Sequence, residues 1–163
     1  MGDYKGNNLI EKLGAFVPGY AGYAQREGRR KSDKLLRTTA AKEIQKKKKA
    51  LDDVGERLLR EGKLALIPDI DAIRRQIDLI ANRLSSANCG ASGFFDIIQV
   101  DERDLDRLYS YDLSIVDAIQ DCLQKLDAMA SDNDPTSQAG SIRQRLKQLE
   151  SMIDARNKVL TEV

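Results

Sequence analysis

The chain has 163 residues, with 27 Lys and Arg against 26 Asp and Glu, 5% aromatics, no Trp and no His. That length buries a core without disulfide or metal support, and the missing histidine removes Ser-His-Asp and Cys-His catalysis, the common zinc sites and the Glu-x-x-His pairs of di-iron bundles. A chain that is 33% charged with only three prolines favours amphipathic helices over a β-sandwich, so the expected fold is all-α.

Other composition-level features narrow the function classes further. Cys89 and Cys122 are not at metal-type spacing. Carboxylate-only Mg²⁺ sites stay open, but Asp and Glu scattered on solvated helix faces are the plainer reading, and no cofactor is expected. The chain has no GxxxxGK[ST] string and no GxGxxG after a strand, which points away from an enzyme. No apolar run reaches the length of about 18 residues that a membrane span needs, and residues 1–30 lack a secretory pattern, so a cytoplasmic protein is expected. Gly2 does not read as a myristoylation site, because Gly6 stands where that signal requires Ser or Thr.

In chain order, residues 1–19 form a leader in which Leu9, Ile10, Leu13, Phe16 and Val17 recur at helical spacing until Pro18-Gly19 stops the pattern. A bundle domain is expected over residues 20–163. One long helix is predicted from about Tyr23 to Glu61, with Leu36, Ala40, Ile44, Leu51, Val54 and Leu58 on one stripe and Gly62 at its end. A second helix follows Pro68, with Asp69 as N-cap and Ile70, Ile73, Ile77, Ile80 and Leu84 spaced 3-4-3-4 up to Cys89-Gly90. The connector GASGFFDIIQV is too apolar for a solvated loop and should pack back on the body.

Asp101 opens a third helix whose positions 105, 108, 112, 115, 119, 122, 126 and 129 step alternately by three and four. After SDNDPTSQAG, the last helix carries Ile142, Leu146, Leu149, Ile153 and Leu160. Short connections favour an antiparallel four-helix bundle with one long N-terminal helix and a short amphipathic leader.

Charge interrupts three of these stripes: Lys47 between Ile44 and Leu51, Asp112 in the third helix, and Arg156 between Ile153 and Leu160. With the helices laid antiparallel at about 1.5 Å per residue, the three fall within about one turn of the same height, near Ser85 and Asn88. A buried carboxylate needs a cation, so a polar layer is expected, with Asp112 against Lys47 or Arg156. Its functional reading is a pocket; its structural readings are a network that fixes helix register, or basic side chains that snorkel out.

Residues 24–50 carry eleven basic side chains against three acidic ones, a net +8, which leaves −7 for the rest of a chain whose total is +1. The start of the long helix, with Arg26, Arg29, Arg30 and Lys31, is expected to overshoot the body as a basic arm that continues to Lys34 and Arg37. Gly19 and Gly22 make FVPGYAGY a hinge feeding that arm, or else simply the start of a helix with a solvated face.

The strings VPGYAGYAQREGRRKSDKLLR, SGFFD and DLDRLYSYDLS resemble an uncharacterised group of bacterial all-helical proteins that share an IPGY-x-GY leader, a DKLLR helix and a GFFD turn. The similarity spans most of residues 16–120 and implies a compact helical fold without supplying catalytic residues. Gly28 and the KKKK run at 46–49 depart from the group's pattern.

These features favour a non-enzymatic scaffold or adaptor that self-associates or docks another protein through the basic arm. The alternative is peripheral binding to anionic membrane through the leader and the arm. Nucleic-acid binding ranks below both, since stacking aromatics are sparse and the remainder of the chain is acidic. No small-molecule substrate is expected.

Overall fold

The computed structural model of the chain describes residues 5–86, 93–96 and 100–161, and the regular structure among them is helical. The order is α1 (Lys5–Phe16), α2 (Arg26–Gln45), α3 (Lys48–Arg60), α4 (Ile67–Ser86), α5 (Glu102–Ser131) and α6 (Thr136–Thr161), with short 3₁₀ turns at Leu64–Leu66 and Gly93–Asp96. The all-α expectation holds.

The predicted long helix is broken in two. At the junction the Lys47 amide bonds the Ile44 carbonyl, a tighter i to i−3 step, before Leu51 resumes the regular ladder from Lys47. Lys46, Lys47, Lys48 and Lys49 put like charges three residues apart there, and that repulsion disfavours a continuous helix. Downstream, α3 ends in a Schellman motif: Gly62 adopts φ 70°, the Lys63 amide bonds the Leu58 carbonyl and the Gly62 amide bonds the Leu59 carbonyl.

A second boundary also moves. Helix α4 begins at Ile67, ahead of Pro68, which is tolerated in the first turn because its missing N–H has no intrahelical partner there. Asp69 therefore lies inside the first turn, where it pairs with Arg143 of α6 at 3.0 Å. Asp101 is the N-cap of α5, its side chain accepting the Arg103 amide at 3.0 Å.

The periodic stripes become the core. Ile70, Ile73, Ile77, Ile80 and Leu84 of α4 are all buried, as are Leu105, Leu108, Asp112, Ile115, Ile119, Cys122, Leu126 and Met129 of α5. Helix α5 packs most extensively on α6; α2 lies on α4 and α5, α4 on α6, α3 on α4 and α5, and α1 on α5.

Burial divides into two clusters. One is aliphatic and runs through α2–α6, around Ile44, Leu58, Ile77, Ile119, Leu146 and Ile153. The other is aromatic and holds Leu13, Val17, Tyr20, Tyr23, Leu36, Phe94, Phe95, Leu108, Tyr109 and Leu160. Phe94 and Phe95 of the GFFD turn are buried, so the described part of the connector does pack back.

Candidate functional site

Between the two clusters lies a buried ionic layer. The Arg156 Nε donates to Asp112 Oδ1 at 2.5 Å, and Arg156 Nη2 donates to Asp33 Oδ1 at 2.7 Å. Arg37 Nε donates to the other Asp33 oxygen at 2.8 Å and its Nη1 to the Leu84 carbonyl at 2.8 Å. Tyr23 and Tyr20 both donate their hydroxyls to Asp112 Oδ2, at 2.5 and 3.3 Å. Two carboxylates thus face two guanidinium groups, joining α2, α5 and α6 with the segment that precedes α2.

Burial sets the electrostatics. Removal from water pushes the Asp112 carboxyl above its ordinary range, while the Arg156 guanidinium and the Tyr23 hydroxyl pull it back. Desolvation opposes the charge on Arg156, but Asp112, Tyr23 and Asp33 together hold that group firmly protonated. Both phenols are driven above their usual range, first by burial and then by the Asp112 charge beside them. At neutral pH both are protonated and donate to Asp112, and the Tyr23 hydroxyl also accepts from Arg156 Nη2 at 3.1 Å.

The layer is occupied by its own side chains. Beside it, among Leu36, Arg37, Ala40, Leu84 and Arg156, is a void of about 10 Å³, room for about one water. A substrate does not fit there. Among the described residues, Nη1 of Arg156 is buried with no hydrogen-bond partner. The arrangement fits one relative register of α2, α5 and α6, since a slip of one turn in any of them would leave a buried charge unmatched.

The PGYAGY segment is what ties the leader to this layer. Gly19 and Gly22 take φ 83° and 78°, which brings both tyrosines inward over Asp112. A Cβ on Gly22 would lie 2.6 Å from the Tyr109 hydroxyl, so only glycine fits. The Tyr23 amide donates to that hydroxyl at 2.7 Å, the Ala21 amide donates to Ser32 Oγ at 3.3 Å, and Arg29 Nε donates to the Tyr23 carbonyl at 2.7 Å. The Tyr23 ring stacks on Tyr109 with centroids 5.4 Å apart and meets Tyr20 edge-on at 5.8 Å.

Several expectations are corrected by this geometry. The segment is a stapled turn, not a hinge. The start of α2 does not project as an arm, because Arg29 is 1% exposed and Arg37 8% exposed, and both are bonded inward. Lys47 is not part of the layer: the break between α2 and α3 turns it outward, and its ammonium reaches Asp127 at 2.6 Å. Of the expected layer, Asp112 and Arg156 are brought together; Ser85 contributes only a carbonyl 3.5 Å from Arg37 Nη1, and Asn88 lies outside the described residues.

The remaining sequence candidates separate by exposure. Arg26, Arg30, Lys31 and Lys34 are exposed on α2. Arg30 is paired with Asp96 at 2.7 Å and lies over the Phe95 ring, whereas Arg26, Lys31 and Lys34 make no ion pair among the described residues. In the leader, Leu13 and Val17 are completely buried, and Leu9, Ile10 and Phe16 pack against the same aromatic cluster half-buried. The Cys122 thiol is buried and pushed up to about 11, as suits a small core residue; Cys89 lies outside the described residues.

Asp33, Arg37, Tyr20 and Tyr23 are the members of the layer that periodicity had not singled out. The signal for one of them was present: continuing the Leu36, Ala40, Ile44 stripe backward by three residues lands on Asp33, and four more reach the buried Arg29.

Comparison of the chain with protein-family models, with curated proteins and with solved structures found no match.

Proposed function

We propose that this protein is a non-enzymatic helical adaptor, an antiparallel four-helix bundle with a folded-back leader, that docks an acidic protein surface through the outer face of α2. In this reading α2 and α3 together make one broken strut of the bundle, with α4, α5 and α6 as the others. The packing of α2 on α4, α4 on α6, α6 on α5 and α5 back on α2 supports it.

The observation that carries the docking reading is the sorting of charge on α2. Its inward cations, Arg29 and Arg37, serve the fold, while Arg26, Lys31, Lys34 and Lys42 are exposed along about 24 Å of helix at the standard rise. Lys42, like Arg26, Lys31 and Lys34, makes no ion pair among the described residues. A row of solvated cations is a partner surface for carboxylates and steers their approach. The likeness to the IPGY-x-GY group belongs to the same reading through the fold alone.

Membrane docking through the leader fits less well, because its apolar face is already packed on α5 and the aromatic cluster. Among the described residues no helix is long and apolar enough to cross a membrane. The proposed location remains the cytoplasm.

The test is fluorescence anisotropy of a labelled poly-glutamate peptide titrated with the full chain across a salt series. Binding that weakens with salt, and is lost in the triple variant Arg26→Glu, Lys31→Glu, Lys34→Glu, is the expected result. Unchanged binding in that variant overturns the assignment, as does tighter binding to a DNA oligonucleotide or to phosphatidylserine vesicles.

A further inference from the structure

Arg156 brings to the ionic layer a donor that the layer does not use. A guanidinium is planar and holds its N–H groups in a fixed fork. The edge formed by Nε and Nη2 is spent on Asp112, Tyr23 and Asp33. None of those three residues lines the void of about 10 Å³ beside the layer, whereas Arg156 does, so Arg156 meets the void by its other edge, that of Nη1. Nη1 is buried and has no hydrogen-bond partner among the described residues. A charged N–H left in that condition carries the full cost of its lost hydration.

The walls of the void supply the complement of that donor. Leu84 is one of them, and its carbonyl, which accepts from Arg37 Nη1 at 2.8 Å, has a second lone pair. Asn157 is another, with a side-chain amide that carries an acceptor oxygen. One donor and two acceptors are matched by a single water, since internal waters make about three hydrogen bonds and need about this much room.

An anion does not suit the same space. Arg37, Arg83 and Arg156 all line it, but each is already matched: Arg37 by Asp33, Arg156 by Asp33 and Asp112, and Arg83 by Glu150 and Asp154. A further negative charge there would be buried without a counterion.

The way out of the void is narrow. Leu36, Ala40, Leu84, Ile115 and Ile153 are buried, which leaves the half-buried Asn157 and the Arg83 side chain, 38% exposed, as the walls nearest solvent. Arg83 reaches from α4 across to α6, where it pairs with Glu150 at 3.0 Å and Asp154 at 3.1 Å.

We propose that the void is the binding site of one internal water, which accepts from Arg156 Nη1 and donates to the Leu84 carbonyl and the Asn157 side-chain oxygen, and that the Arg83 ion pairs gate its exchange with solvent. The site belongs to the interior, and the inference stands whether or not the outer face of α2 docks a partner.

Water-selective ROE spectroscopy on the isotope-labelled full chain tests it, with circular dichroism confirming that each variant is folded. A cross-peak from water to the Arg156 Nη1 protons, of the sign that marks a long-lived water, is the expected result. Ala40→Val places added methyl groups at the void and should abolish the cross-peak. Arg83→Ala, at a more exposed position, should keep it while speeding the exchange of those protons with solvent. Magnetic relaxation dispersion of the solvent, which needs no substitution, should register a long-lived water in the wild type. A missing cross-peak overturns the proposal, as does one that survives Ala40→Val, a wild type with no long-lived water, or a shift of the Arg156 resonances on titration with chloride, which would make the occupant an anion. Exchange unaltered in Arg83→Ala overturns the gate.

Discussion

The aliphatic and aromatic clusters bury similar kinds of surface by different means. Around Ile77, Ile119 and Leu146 the fit is between stacked rows of branched side chains, and neighbouring rows look alike, so a one-turn slip would meet similar shapes. Around Tyr23 the fit is between unlike groups matched to specific partners: Tyr23 with Asp112 and Tyr109, and Gly22 with the Tyr109 hydroxyl. The first end supplies most of the apolar burial. The second, together with the ionic layer, makes one arrangement of the helices unique.

Breaking the layer should have the largest effect. Arg156→Met removes the guanidinium that Asp112 and Asp33 share, and should cost about 3–5 kcal/mol, read from the shift of the urea midpoint. Replacing Asp33, Arg37, Asp112 and Arg156 together by Leu and Met should recover most of that loss while broadening the amide NMR spectrum. Full recovery with an equally sharp spectrum would show that the layer does not set the register.

The aromatic end can be loosened without touching a charge. Gly22→Ala imposes a left-handed backbone on alanine and drives its Cβ into the Tyr109 hydroxyl, a strain of about 1–3 kcal/mol, again visible in the urea midpoint. Gly28→Ala, in open space on α2, is the control that should stabilise slightly.

The smallest effect separates the two ends by pH. The phenol of Tyr20 ionises above its ordinary pKa of 10.0 in the folded protein but at that value in the unfolded chain, so the unfolded state gives up its proton first as pH rises. Stability is therefore full below pH 10 and falls above it, by about 1.4 kcal/mol per group one unit higher. Tyr20→Phe should flatten this decline in midpoint against pH, and Leu146→Val should leave its slope unchanged.

Much of the aliphatic end was legible in advance, because a 3-4 spacing of Ile and Leu has one physical meaning on a helix. The stripes of α4, α5 and α6 are buried as read, and heights along antiparallel helices were enough to bring Asp112 and Arg156 together. The aromatic end was not legible. Asp33 and Arg37 sit in the most basic stretch of the chain, where a charge looks solvated until its partner across the fold is known. The tyrosines were read as part of a hinge because glycines with positive φ serve tight inward turns and flexible joints equally well. Lys47 misled because the tight step at the helix break turns that one position outward while Ile44 and Leu51 on either side stay buried.

The pairing of Tyr23 with Arg156 spans 133 positions of the chain. During synthesis the tyrosines leave the ribosome long before the guanidinium that completes their surroundings, and Asp33 and Asp112 emerge in the interval. The layer around Asp112 therefore cannot be completed until α6 has been made, and the aliphatic rows wait on Ile142, Leu146, Leu149 and Ile153 of the same helix.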